Sequence, residues 1–580
     1  MVAPHPASQG SGQALDLTHS QALPRTSPKT ISTALVHALE DLGIQMSFGV
    51  IGGAISPFCH ALNESSIQYL HFRHETGAAF SALEASLATG RPTLVFTTAG
   101  PGLTNALTGM SAARWDGGHV LLVSACTSLP HRGRAATQET GPHTLPSIGM
   151  FLSGPPFHHA SILDHPAGLE PLVAELSRGF SRRDGYVAHV SLPIAIQTEK
   201  VSKTVCVPFK QRHPRVCARE VAEHYAQMLQ GKKLAIWLGF GARKASKPIL
   251  EFAELTSAKV IASPRGKGTF PEDHPLYVGV TGLGGDSDVD SRFAEDPPDY
   301  TLVLGTRMGE STSFWAGELT PKEAFIHIDV NPAAFGAAFP GAATHAVESD
   351  VEVFLDALLQ AWTASPVCSH RRHRPPRAQV PPRQTGPVRP QVLFDTVQSE
   401  VVDKSDSIVL AESGNSFCWA THLLRFQTPG RYRVSTGFGS MGHATTGVVG
   451  AALATGKKAY AVVGDGAMLM LSEISSAVQY GAKAVWVVLN DACYLMCEQG
   501  MRVLGWEPFG TSIPRVDFAT LAKAQGADGE IVRSELDLSA AFARAHRSEK
   551  PYVLDIQIDP REIAPSGKRH KNLMQQGFGE

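Results

Sequence analysis

Two periods of apolar and polar positions take turns along most of the chain. Runs in which nearly every residue is apolar, such as PTLVFTT, HVLLVSACTS, KLAIWLG, DYTLVLG and AFIHIDV, read as strands buried on both faces. Between them lie stretches with helical spacing, for example TISTALVHALEDLGI from Thr30 and RVDFATLAKAQGADGEIV from Arg515. Strands alternating with helices predict parallel sheets joined by crossover connections, an α/β fold. Many of the strand runs end in a glycine turn: Gly52-Gly53, Gly100-Pro101-Gly102, Gly239-Phe240-Gly241 and Gly464-Asp465-Gly466. In sheets of this kind ligands gather outside the carboxyl ends of the strands.

The most regular unit runs from Ala459 to Asp491, AYAVVGDGAMLMLSEISSAVQYGAKAVWVVLND. It reads as strand, tight turn, amphipathic helix (Leu469, Leu471, Ile474, Val478) and a second, parallel strand. Asp465 and Asn490 then fall at the carboxyl ends of neighbouring strands. One oxygen from each, with backbone amides at a helix start, suits a magnesium ion holding a diphosphate. Gly464 and Gly466 let the backbone approach a phosphate without a Cβ in the way. Further upstream, SIVLAESGNSFCWATHLL carries a strand into Gly414-Asn415-Ser416 at another helix start, a second place to meet a phosphate.

Composition narrows the classes without choosing among them. Across 580 residues, 43% apolar and 18% charged residues describe a globular chain large enough for about three domains. A formal net charge of −2 carries no nucleic-acid or membrane footprint. The eight cysteines form no CxxC pair and read as reduced thiols of a cytoplasmic protein, not as a zinc site. No apolar run reaches the roughly 18 residues of a membrane helix. Residues 1–27, rich in Pro, Ser, Gln and His, read as a disordered leader, and 365–390, rich in Pro and Arg, as a surface linker. The polar, basic tail 563–580 reads as frayed, with a lid over the site as the other option.

RHETGAAF around Glu75, GPGLTNALTG, ATQETGP and the GDG unit followed by Asn490 resemble the acetolactate synthase-like branch of the thiamine-diphosphate enzymes. The resemblance covers roughly residues 30 to 560. It implies three Rossmann-like, doubly wound domains: a pyrimidine-binding domain over 28–197, a middle domain over 216–364 and a diphosphate-binding domain over 391–562. It implies that Glu75 holds the cofactor's N1′ and starts its activation, with Gly53, Pro101 and Asn105 on the pyrimidine pocket. Gln138 matches a glutamine reaching the reacting centre, whereas His158-His159 lies outside that motif and reads as structural. On the diphosphate side it implies Gly414, Asn415, Ser416, Gly464, Asp465, Gly466, Ala467 and Tyr494, with Gly439 and Met441 against the rings. Asp465, Asn490 and the carbonyl of Ala492 become the Mg²⁺ ligands. Arg307 aligns with an arginine that can meet an acceptor's carboxylate, a structural ion pair being the other reading. FAD is an option for the middle domain. There Arg307-Met308-Gly309-Glu310 replaces the family's RFDDR-type segment, which speaks against it.

The expected activity is therefore decarboxylation of a pyruvate-like 2-oxo acid and transfer of its acyl carbanion equivalent to a second carbonyl. Gly500 stands where acetohydroxyacid synthases carry a tryptophan, which speaks against the branched-chain reaction. A simple 2-oxo acid decarboxylase is the alternative. A non-catalytic or flavin-binding protein that keeps the fold is an alternative of another class. The resemblance further implies a homodimer or homotetramer with its active sites between subunits.

Overall fold

The computed structural model describes residues 28–578 except 142–147, 155, 202–204, 206, 208–216 and 366–378. The leader, most of the stretch 197–215 and much of the Pro/Arg-rich linker lie outside the described residues. The apolar runs become three six-stranded sheets, and every pairing between their strands is parallel. The first holds β1 (Met46–Gly49), β2 (Gln68–His71), β3 (Thr93–Thr97), β4 (His119–Cys126), β5 (His159–Ile162) and β6 (Tyr186–Pro193). The second holds β7 (Leu234–Leu238), β8 (Lys259–Ala262), β9 (Tyr277–Val280), β10 (Tyr300–Leu304), β11 (Ala324–Asp329) and β12 (Thr344–Glu348). The third holds β13 (Ile408–Ala411), β14 (Tyr432–Arg433), β15 (Ala459–Gly464), β16 (Ala484–Asn490), β17 (Asp528–Val532) and β18 (Tyr552–Gln557).

Strand order separates the three. The first and third sheets share one winding, β2-β1-β3-β4-β6-β5 and β14-β13-β15-β16-β18-β17. The middle sheet runs β12-β11-β10-β7-β8-β9, the order of a dinucleotide-binding fold, with its switch point between β10 and β7.

The carboxyl ends of these strands are flanked by helices α1 (Glu75–Thr89), α2 (Pro101–Asp116), α3 (Asn415–Leu423), α4 (His443–Thr455), α5 (Asp465–Met470) and α6 (Leu495–Val503), with α7 (Gly567–Leu573) near the end of the chain. Helices α1 and α4 occupy equivalent places in the first and third sheets and pack face to face, so one apolar core runs through both domains. Glycines make that approach possible: a methyl group on Gly450 would strike the backbone of Ser81, and one on Gly447 would lie 2.7 Å from Glu84 Cγ. Side chains on α1 are accordingly buried on nearly every face, so this helix has little amphipathic pattern.

The crossover after β15 departs from the expected single helix. Helix α5 stops at Met470, Leu471 is extended, Glu473 is left-handed (φ +51°), and a short helix resumes at Ile474–Gln479. Leu469 and Met470 consequently stand exposed instead of facing the sheet.

Candidate active site

At the carboxyl ends of β13, β15 and β16 the structure forms a cavity of ≈ 270 Å³. Its lining includes Gly414, Asn415 and Ser416 from the start of α3, Gly439 and Met441 from the loop before α4, and Gly464, Asp465, Gly466 and Ala467 from the GDG turn. Asp491, Cys493 and Tyr494 close the far wall. Gly414 adopts φ +115°, a conformation open to glycine alone at little cost, which turns the chain into α3. Ser413 Oγ donates to the Gly439 carbonyl at 2.7 Å and ties the two loops together. Asp465 accepts from the Gly466 N–H at 2.7 Å and the Ala492 N–H at 2.6 Å. Burial raises the Asp465 pKa despite those bonds. The Asp491 carboxyl is pushed up to about 8, by burial first and then by the charge of Asp465. Two carboxylates on one small cavity, with an unpartnered amide oxygen on Asn415 beside them, fit a divalent cation gripping a diphosphate.

A second constellation forms on the first domain, at the carboxyl ends of β1 and β3. Glu75 opens α1 and is buried, and its Oε2 accepts from Asn105 Nδ2 of α2 at 3.1 Å. A Cβ on Gly102 would sit 3.2 Å from Glu75 Oε1, so the glycine keeps that oxygen uncovered. Pro101 begins α2, and Gln138 folds over Gly100, where an added Cβ would lie 2.8 Å from its own. Gly53 starts the short turn of helix after β1. No residue of this group lines the cavity on the third domain.

Three stretches match family descriptions: 29–145 the thiamine pyrophosphate enzyme N-terminal TPP binding domain, 221–358 the central domain, and 412–556 the C-terminal TPP binding domain. The chain belongs to the thiamine-diphosphate-dependent enzymes. Within them it is acetolactate synthase-like. It is 28% identical to a probable acetolactate synthase large subunit of Methanocaldococcus jannaschii, covering 93% of this chain and 94% of that one. It is 26% identical to the large subunit of acetolactate synthase isozyme 2 of Escherichia coli, covering 93% and 98%. A putative thiamine pyrophosphate-containing protein of Bacillus subtilis is 25% identical, over 91% and 92%.

Two of the residues expected to ligate the metal lie off this cavity. Asn490 is fully buried and turned into the domain: its Nδ2 donates to the Val516 carbonyl (2.9 Å) and Asp555 (2.8 Å), and its Oδ1 accepts from Arg515 (3.2 Å). The Ala492 carbonyl accepts from the Ile513 N–H at 2.9 Å. Neither residue lines the cavity, whereas Asp491 and Cys493 do. Near the end of an extended strand neighbouring residues face opposite ways, so a one-residue shift in the assignment reverses every side chain. Arg307 also lies outside the cavity; it stacks on Trp115 and donates to that residue's carbonyl at 2.6 Å. His158 and His159 serve the first sheet, His158 Nδ1 accepting from Val187 N–H at 2.9 Å.

Sequence reasoning missed Glu473. Its carboxylate reaches across from the third domain to accept from the Arg73 and His74 N–H groups, directly before Glu75. Burial raises its pKa. It also missed the buried set Glu84, His443 and Arg433 between α1 and the third sheet, where His443 Nε2 meets Glu84 Oε1 at 2.8 Å. The conformation of Glu473 depends on the break after α5, which no local pattern announces.

The switch point of the middle sheet lies between the turns after β7 and β10. The turns after β7 and β10 hydrogen-bond directly there, Gly241 N–H to the Gly305 carbonyl at 3.0 Å, and any Cβ on Gly239 would collide with Gly305. Phe240, between them, carries the guanidinium groups of Arg243, Arg265 and Arg433 around its ring. Among the described residues no group of three or more His, Cys, Asp or Glu side chains is arranged to hold a metal ion by itself, and no helix is long and apolar enough to cross a membrane.

Proposed function

We propose that the chain is a thiamine-diphosphate- and Mg²⁺-dependent carboligase that decarboxylates a pyruvate-like 2-oxo acid and joins its acyl unit to a second carbonyl compound. One observation carries the reading: Asp465 and Asp491 converge with the Gly414–Ser416 loop on a single cavity, and Glu75 with Asn105 stands ready on another domain. Asp465 and Asp491 would hold the cation, with Asp491 in the part expected of Asn490. The α3 start would hold the terminal phosphate. Bound there, thiamine diphosphate supplies the electron sink that lets carbon dioxide leave. Asn105 fixes Glu75 Oε2, which leaves Oε1 as the atom through which Glu75 would exchange a proton with the ring nitrogen. Met441, on the cavity wall, would prop the rings, and Gln138, over the Gly100 turn, would face the reacting carbons. Arg307, held by Trp115, takes no assigned part in binding substrate.

Because no described residue of the first domain lines the cavity, a second copy of the chain would complete it, and the working unit would be a homodimer or a homotetramer. The six cysteines among the described residues are unbridged, which fits a cytoplasmic protein. Incubation with pyruvate, thiamine diphosphate and Mg²⁺, with products read by mass spectrometry, should give a coupled hydroxyketone or hydroxy-oxo acid. Aldehyde alone with every acceptor tried would mean a plain decarboxylase. Mixing Glu75→Gln with Asp465→Ala protein should restore part of the activity each lacks, since mixed pairs regain one intact site. No recovery would count against sites shared between copies.

A further inference from the structure

The C-terminal segment does not fray. Gln499 of α6 is buried and holds the segment at its start: its Nε2 donates to the Glu562 carbonyl at 3.1 Å, and its Oε1 accepts from Ala564 N–H at 3.4 Å. The same Oε1 accepts from Asn415 Nδ2 of the cavity wall at 3.3 Å. Beyond it, Lys568 pairs with Asp290 of the middle domain at 2.8 Å, and Gln576 Nε2 donates to Glu310 at 3.2 Å. Helix α7 is thereby stretched between two domains and laid over α6.

The contact between those helices has an unusual form. Gly500 sits inside α6 with ordinary helical backbone, where glycine costs about 1 kcal/mol relative to alanine. Its place on the helix is one turn from Met496 and Cys497, which line the cavity. What fills the space over Gly500 is His570: a Cβ at 500 would lie 3.5 Å from His570 Nε2 and 3.9 Å from its Cδ2, with nothing else within 4 Å. His570 is 5% exposed, and its Nε2 has no hydrogen-bond partner. A buried ring nitrogen left without a partner is costly unless something polar arrives.

We propose that His570 is a specificity-determining residue for the second carbonyl substrate: carried in on α7, it takes the place of the side chain absent at Gly500, forms the outer wall beside Met496 and Cys497, and offers Nε2 to an oxygen of that substrate. The inference rests on the carboligase reading. Burial, and then the charge of Arg569, lower the His570 pKa, so the ring is a neutral donor-acceptor. Gln499 joins the segment to Asn415, so the wall and the cofactor loop are set by one side chain.

Steady-state kinetics of the full-length holoenzyme test this, varying the acceptor at saturating pyruvate. His570→Ala should raise the acceptor KM about tenfold, the size of one ordinary lost hydrogen bond or contact. His570→Gln, which keeps a polar group of similar reach, should recover part of that loss. Gly500→Leu should produce the same shift by pushing α7 away, with faster tryptic cleavage in the segment around Lys571. Thiamine diphosphate affinity, followed by quenching of intrinsic fluorescence, should stay within about twofold in the two His570 variants, since His570 does not itself line the cavity that holds Asp465 and Asp491. An acceptor KM unchanged in His570→Ala, or lost cofactor affinity accompanying every shift, would overturn the proposal. Wild-type protein that fails to bind thiamine diphosphate, or yields aldehyde alone, would instead overturn the functional reading beneath it.

Discussion

Asp491 and Asn490 are neighbours with opposite surroundings, one on the cavity wall and the other buried within the domain. Asn490 is satisfied by Arg515, Val516 and Asp555, residues 25 or more positions away in sequence, and no local pattern reveals such partners. The GDG turn was legible because its glycines and its place after an apolar run are local features. The side of the strand taken by each residue near its end depends on tertiary partners. Replacing Asn490 by Ala should strand Asp555 and Arg515 and destabilise the fold by about 1–3 kcal/mol, seen as a lower melting temperature. Asp491→Ala should instead keep the melting temperature and weaken Mg²⁺ or Mn²⁺ binding by at least about tenfold, measured by calorimetry with diphosphate present. Equal metal affinity in Asp491→Ala would remove it from the cation site. Glu75→Gln should reduce turnover by about 10²-fold or more while thiamine diphosphate still binds.

Among the elements, the pairing of α1 with α4 carries the greatest constraint. Both helices were readable as helices, but their partner was not: each is buried nearly all round and lacks the one-sided stripe that points at a neighbour. Gly450→Ala should be destabilising by about 1–3 kcal/mol, because the atom in its way is the backbone of Ser81 and cannot rotate aside. Between the helices His443 stacks on Phe80 and pairs with Glu84, near Asp116, Glu412, Arg433 and Arg265. Burial pulls the His443 pKa down, but the hydrogen bond and charge of Glu84, with Asp116 and Glu412, outweigh it and hold it above the ordinary value. For Glu84, burial pushes up, and the His443 hydrogen bond and charge, with Arg433 and Arg265, hold it below. A histidine raised in this way stabilises fully below its unfolded value, near 6.5, and loses that contribution as pH climbs through the folded value. A depressed carboxylate works from its unfolded value, near 4.3, upward and loses its contribution as pH falls through the folded value. The pair is therefore most stabilising between those two unfolded values. Thermal melts from pH 5 to 9 should show an alkaline decline that His443→Phe flattens; parallel curves would deny the pair this role. The tail was the least legible element, since its polar composition gives no sign that Gln499, Asp290 and Glu310 wait for it.

At the scale of the molecule, alternating strand and helix patterns were enough to indicate three α/β units, because fully buried parallel strands cannot hide their apolar runs. That the first and third share a winding and the middle one differs was not legible: strand order is decided by which crossover goes left or right of its predecessor, and both choices leave the same local pattern. The shared winding gives the chain two modules with comparable faces, one bearing Glu75 and the other bearing the aspartates. No described residue before Ser413 lines the cavity, so on the functional reading proposed above a solitary chain would own two half-clefts and no whole one. Specific activity should then depend on how dilute the enzyme is. It should hold steady while copies stay associated and fall away once they part, with excess cofactor postponing the loss by holding the halves together.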